Sequence, residues 1–194
     1  VRKADLHLHT HASSDASFDP EEVFSIAKAR GLTALTFSDH DSIASNAAGQ
    51  RLADIYDVAF LPGVEITSSW GGKPAHVLGF FSNGPLPALE DFLADNIRSV
   101  RKQFAMAMLE YLQGQGTAVT IAEYEAEAEA QELSEPTPLY RLLHKKGIAS
   151  DMAAFMALRE SSGIRVLHTP LPEAIHACHA AGGIAVLAHP GHDT

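Results

Sequence analysis

Cysteine is all but missing from this chain, with Cys178 the one residue of its kind among 194. A disulfide within the chain is excluded, and a thiolate zinc site is disfavoured. Cys178 sits in the helix-like stretch His176-Ala177-Cys178-His179 and reads as a small buried apolar residue. A reducing compartment, the cytoplasm, is the expected location. No apolar run approaches the roughly 20 residues needed to span a bilayer. The first residues read as a strand, with no signal-peptide pattern. Basic residues are scarce too: 14 Lys and Arg stand against 24 Asp and Glu, a formal net charge of −10. That balance argues against a broad nucleic-acid-binding surface. A nucleotide stays admissible, because bound divalent cations reverse the sign locally. The apolar fraction, 46%, is that of a globular protein with one sizeable core, or of a domain carrying an insertion.

Histidine is what the chain has in excess, with 11 residues. His7 and His9 lie in Asp5-Leu6-His7-Leu8-His9-Thr10. A strand alternates sides at every residue, so both imidazoles and Asp5 share one face while Leu6 and Leu8 take the other. Two imidazoles about 6–7 Å apart along a strand can converge on one metal ion. Asp15, His40, Glu65, His76 and His189 follow, each expected near the end of another strand-like run. Histidine and carboxylate without cysteine point to Mn, Fe(II) or Zn.

The pattern along the chain is that of an α/β protein. Asp19-Pro20-Glu21-Glu22 reads as a capped helix start, with Glu22 completing a capping box. Val23, Ile26 and Ala27 form its expected stripe, and Gly31 stops it. Strands are expected at 32–37, 58–64 and 75–81, with a helix over 44–56 and a turn at Gly71-Gly72. The order βαβαββ, with polar residues at strand ends, suggests a barrel-like α/β fold whose chemistry gathers at the carboxyl ends of its strands. Residues 86–113 read as a helix with Ile97, Val100, Phe104, Met108 and Leu112 on one face. Helices are expected over 121–133, 139–146 and 151–159. Residues 96–165 therefore read as a helical insertion between barrel segments 1–95 and 166–194. The returning chain carries a helix over 171–181 and a strand over 184–190. A (β/α) barrel takes roughly 200 residues or more, so the expectation is a barrel truncated at its C-terminus, with a further segment or another chain covering the open edge.

These motifs together resemble the PHP (polymerase and histidinol phosphatase) domain family. Asp5-Leu6-His7-Leu8-His9-Thr10 is similar to its first signature and Ser38-Asp39-His40-Asp41 to its second. Gly63-Val64-Glu65 with His76 is similar to the third, and Ala188-His189-Pro190 to a later one. Asp15, Ser69-Trp70-Gly71 and the helical insertion resemble the stand-alone phosphoesterase branch, which acts on nucleotide 3′,5′-bisphosphates and short RNA 5′ ends. The resemblance implies a distorted (β/α)7 barrel holding up to three divalent ions (Mn, Zn or Fe). His7 and His9 would hold the first, with Glu65 bridging to the second. His76 and His189 would complete the second, and Asp15 and His40 would hold the third. One further Asp and His, from a Gly-Ser-Asp-x-His motif, are absent from these residues. The implied reaction is hydrolysis of a nucleotide phosphomonoester by a metal-bridging hydroxide, with Glu65, His40 and Asp39 as catalytic candidates. Arg98, Arg101 and Arg141 are the candidate phosphate contacts. Asp5, Asp39 and Asp41 could instead orient ligands, and Asp193 could replace a missing one. His144, His168, His176, His179 and His192 read as surface, helix or loop residues. The alternatives are histidinol-phosphate phosphatase and a non-catalytic metal- or ligand-binding module. The implied partner is a small phosphorylated substrate, and no membrane.

Overall fold

The computed structural model describes residues 2–13, 15–84, 87–129, 137–166 and 168–191. In chain order these form β1 (Ala4–Leu8), α1 (Pro20–Ala29), β2 (Ala34–Phe37), α2 (Asn46–Tyr56), β3 (Ala59–Phe60), β4 (Gly63–Trp70) and β5 (Lys73–Phe80). The long α3 (Pro87–Gly114), α4 (Ile121–Glu129), α5 (Pro138–Lys145) and α6 (Met152–Ser162) follow, then β6 (Thr169–Pro170), α7 (Leu171–Ala180) and β7 (Ile184–Leu187). The chain divides into two compact units, Val1–Asn96 with Leu167–Thr194, and Ile97–Val166. No helix among the described residues is long and apolar enough to cross a membrane.

In the first unit the strands lie in a three-stranded sheet, β1-β2-β3, and a four-stranded sheet, β6-β4-β5-β7. The first is parallel. Its cover begins where the sequence placed it: the Asp19 side chain accepts from the Glu21 N–H, and Glu22 accepts from the Asp19 N–H at 2.9 Å. The buried face of α1 differs from the expected stripe. Phe24 is fully buried while Ile26 is 42% exposed. Phe24 wins because its ring meets Phe37 edge-on at 5.7 Å and closes a cluster with Val23, Ala27, Leu35 and Val58.

The strand expected over 58–64 is two strands. Leu61-Pro62 separates β3 from β4, since Pro has no N–H to continue a ladder. Gly63 opens β4 because nothing larger fits: a Cβ there would lie 2.3 Å from Thr36 Cγ2. Glu65 therefore stands inside β4 and His76 inside β5, not at strand termini. β4 and β5 pair antiparallel through the Gly71-Gly72 turn, where φ is +58° and +80°. β7 pairs antiparallel with β5, and β6 parallel with β4. An isolated parallel bridge, His40 to Glu65, ties the end of β2 to β4. The fold is thus α/β, with one parallel and one mixed sheet among the described strands.

Val64, Ile66, Val77 and Phe81 pack against Ala174 and Cys178 of α7 and Leu89 and Leu93 of α3. Cys178 is buried, as expected, and burial pushes its thiol up to about 11. On β7, Ile184, Val186 and Leu187 are exposed.

The second unit is helical. Met108, Leu109 and Leu112 of α3 meet Leu139, Leu142 and Leu143 of α5 and Phe155 of α6. Thr137 and Asp151 cap α5 and α6 through their side chains. The last residues of the helix expected over 121–133, Ala130 to Leu133, lie outside the described residues, as do Ser134, Glu135 and Pro136.

Candidate metal centre

Glu65 is fully buried, and imidazoles converge on it. His7 Nε2 lies 2.7 Å and His9 Nε2 2.9 Å from Oε2, and His189 Nε2 lies 3.0 Å from Oε1. The rings close a circuit. His7 and His9 are 5.1 Å apart, His9 and His40 4.9 Å, His40 and His76 5.1 Å, His76 and His189 5.2 Å, and His189 and His7 5.6 Å. The elements explain the convergence. His7 and His9 share a face through the strand alternation of β1. Glu65 and Thr67 share a face of β4, and His76 pairs with Thr67 across the hairpin, which brings it to the same side. Glu65 is pinned through its backbone: its N–H donates to the Asp39 carbonyl at 3.1 Å, and its carbonyl accepts from the Asp41 N–H at 2.8 Å. His189 follows β7 with φ +25°, a backbone turn that re-aims its ring.

A buried carboxylate is costly unless compensated. Burial pushes the Glu65 pKa up, but His9 hydrogen-bonds to it and the imidazoles of His40 and His7 add to the field, so it falls to about 2. The hydrogen bond to Glu65 raises His9 against its own burial, and Asp15 adds to this, to about 9. Asp15 Oδ1 lies 2.9 Å from His9 Nδ1. Burial pushes Asp15 up, but the hydrogen bonds from Ser13 and His9 outweigh it and lower it. His40 is lowered, chiefly by burial. Its Nε2 sits 3.7 Å from Asp15 Oδ2 and 3.8 Å from Glu65 Oε2, and its buried Nδ1 has no hydrogen-bond partner among the described residues.

These residues fit divalent ions. The donors are imidazole nitrogens and carboxylate oxygens, the set suited to Mn, Fe or Zn. Ligand atoms of His7, Glu65 and His189, and of His9, His40 and Glu65, lie within 4.8 Å of one another. Two ligands about 2.0–2.2 Å from one ion are spaced at roughly 3–4 Å, the separations seen from His40 to Asp15 and Glu65. The groups share Glu65 but divide the imidazoles differently from the expected sets, pairing His7 with His189 and His9 with His40.

Other expected site residues are placed elsewhere. Asp39 is 1% exposed, and both of its oxygens accept from Thr10: Oδ1 from the N–H at 2.6 Å and Oδ2 from the hydroxyl at 2.9 Å. It braces the ends of β1 and β2. Arg141 is held within the helical unit, where Nη2 donates to the Glu127 carbonyl at 2.6 Å and Nε lies 3.3 Å from the Glu127 carboxylate. That pairing ties α5 to α4. Arg98 is exposed on α3, and Arg101, on the same helix, lowers the pKa of Tyr124, which burial raises. Asp5 accepts from the His7 backbone N–H and so holds the strand rather than the ring. Asp41 accepts from the Thr67 N–H at 3.0 Å and from Asn96 at 3.4 Å, and burial raises it. His144, His176 and His179 are exposed, and His168 is half-buried, its N–H donating to Ser69 Oγ. His192 and Asp193 lie outside the described residues.

Sequence reasoning passed over Ser13, Thr10, Ser45 and Asn96. Thr10 Oγ1 meets Ser45 Oγ at 2.6 Å beneath Asp39. Asn96 bridges Asp41, the Thr67 carbonyl and the Thr169 N–H. Its signal was a polar residue beside an apolar helix stripe. Thr10 and Ser13 gave none, since hydroxyls in loops are ordinary turn formers.

The chain is similar to a 5′-3′ exoribonuclease of Haemophilus influenzae, 29% identical over 98% of this chain and 69% of that protein. It is also similar to a 3′,5′-nucleoside bisphosphate phosphatase of Chromobacterium violaceum, 31% identical over 96% of this chain and 66% of that protein. It thus spans about two thirds of these relatives' length. A crystal structure from Bifidobacterium adolescentis, described as a metal-dependent phosphoesterase, shares the fold with a TM-score of 0.66 at 24% identity, over 98% of this chain and 68% of that one. Residues 5–132 match the PHP domain, and the chain belongs to the PHP family.

Proposed function

We propose that this protein is a metal-dependent phosphoesterase that hydrolyses phosphomonoesters of nucleotides, of the 3′,5′-bisphosphate or short-oligonucleotide type. The observation that carries the reading is the circuit of imidazoles closed around one buried, ionised Glu65. The relatives named as a nucleoside bisphosphate phosphatase and as an exoribonuclease support it at the level of substrate class. His7, His9, His40, His76, His189, Asp15 and Glu65 would hold the ions, with Glu65 shared between sites. Divalent ions held there neutralise phosphate oxygens, lower the pKa of bound water and stabilise the leaving oxygen.

The chain's own residues prepare that chemistry. Glu65 stays ionised at any physiological pH, because its pKa is held at about 2. Neutral imidazoles ligate without adding negative charge that would repel phosphate. Burial lowers the His40 pKa, which favours the neutral ring that a metal ligand needs. Arg98 and Arg101 are proposed as phosphate contacts, because their planar forks suit phosphate oxygens. The two sheets are proposed to be part of a PHP-type (β/α)7 barrel.

The test loads purified protein with Mn(II) and compares a nucleoside 3′,5′-bisphosphate, a 5′-phosphorylated oligonucleotide and histidinol phosphate. Turnover of the nucleotide substrates is expected, falling at least about 100-fold in Glu65→Gln. Unchanged turnover in that variant would sink the reading. Preference for histidinol phosphate, or bound metal with no turnover on any ester, would replace it with the corresponding alternative.

A further inference from the structure

We propose that Ser13 is the positioning residue of this centre, and that its hydroxyl sets Asp15 and His40 to share one ion. The inference rests on the reading of the cluster as a metal centre.

Ser13 is only 5% exposed although it lies in the loop after β1. Its Oγ touches three candidate ligands from different stretches of chain. It donates to Asp15 Oδ1 at 2.5 Å and accepts from the His40 backbone N–H at 3.2 Å, and His9 Nδ1 lies 3.4 Å away. A hydroxyl has one proton and two lone pairs. Here the proton goes to the Asp15 carboxylate and a lone pair accepts the His40 backbone N–H, so the hydroxyl joins two stretches of chain that carry candidate ligands. The Ser13 N–H donates to the Thr10 carbonyl at 3.0 Å, which turns the loop so that the hydroxyl points inward.

The need for such a residue follows from where the ligands come from. His9 is fixed by β1, and His40 by its bridge to Glu65. Asp15 belongs to no strand or helix, and its side chain is 52% exposed. Left to itself, an exposed carboxylate on a loop samples several rotamers, and holding it costs entropy at the moment an ion binds. The hydrogen bond from Ser13 selects one rotamer beforehand. The same oxygen takes the His40 N–H, so the loop carrying Asp15 and the turn carrying His40 are registered to each other through one atom. Groups that orient metal ligands in this way typically matter 10–100-fold, as an order of magnitude, for affinity.

The experiment titrates Mn(II) into metal-free protein and follows free Mn(II) by electron paramagnetic resonance, for the wild type, Ser13→Ala and Ser13→Thr. The metal-free melting temperature of each is measured in parallel. The expected result is weakening of one class of bound Mn(II) by about 10–100-fold in Ser13→Ala, with the tightest class unchanged. Ser13→Thr, which keeps the hydroxyl, should restore it. Unchanged binding in Ser13→Ala would overturn the inference and leave the metal centre standing. Loss of every class together with a lower metal-free melting temperature would overturn it in favour of a purely structural role. Absence of bound Mn(II) in the wild type would overturn the metal centre itself, and the inference with it.

Discussion

At the scale of single residues, the centre is a balance of charge around Glu65. In the metal-free protein a proton on His9 compensates the buried carboxylate, with His9 raised to about 9 and Glu65 lowered to about 2. The His9 contribution to stability is complete below its unfolded pKa of about 6.5 and is lost as pH rises through about 9. The Glu65 contribution is complete above about 4.5 and is lost as pH falls through about 2. Both act in full between roughly pH 4.5 and 6.5. Melting temperatures of chelator-treated protein should therefore fall between pH 6.5 and 9.5, and this slope should shrink in His9→Gln. A slope of the same size in that variant would place the proton elsewhere. A divalent ion needs the His9 lone pair, so loading at pH 7 should release a proton. Calorimetry in buffers of different ionisation enthalpy reads that release directly.

At the scale of elements, legibility in the sequence followed the range of the forces involved. The capping box of α1, the Gly71-Gly72 turn and the glycine after α1 are written in neighbouring residues, and they stand where the pattern placed them. The choice of Phe24 over Ile26 depends on Phe37 from a distant strand, and no helical period contains it. The break at Leu61-Pro62 was visible as a proline. The antiparallel return of β7 onto β5 was not, because strand partners are chosen by tertiary packing. The candidate ligands could be named because histidine and glutamate in strand-like runs are unusual. Ser13 stayed hidden because its meaning lies in partners that the loop alone brings together. Phe24→Ala should destabilise the first unit by about 3–5 kcal/mol, as truncations of buried aromatics do, measured by urea unfolding. Ile26→Ala, on the exposed side of the same turn, should cost under about 1 kcal/mol.

At the scale of the whole molecule, the chain pairs a unit that carries the candidate metal ligands with a unit whose described elements are all helices. All candidate metal ligands among the described residues belong to the first, within Val1–Asn96 and Leu167–Thr194. Ions that bind the folded state stabilise it by mass action, about 2.7 kcal/mol at 100 times the dissociation constant. Adding Mn(II) to metal-free protein should thus raise the stability of the first unit and slow amide exchange in β1, β4 and β5. Exchange in α5 and α6 should hardly change. Equal protection throughout would show that the units unfold as one. The net charge of −10 adds an electrostatic attraction for divalent cations that should weaken as salt rises.

The scarcity of cysteine leaves the molecule with a built-in clock. The Cys178 thiol faces the sheet from α7, held protonated by burial and shut between Gly79 and Gly183. A thiol reagent can reach it only when α7 lifts away. The rate of labelling of native protein therefore times that opening, and no second thiol blurs the signal. At low reagent the rate should scale with reagent concentration and report how often α7 is open; at high reagent it should level off at the opening rate.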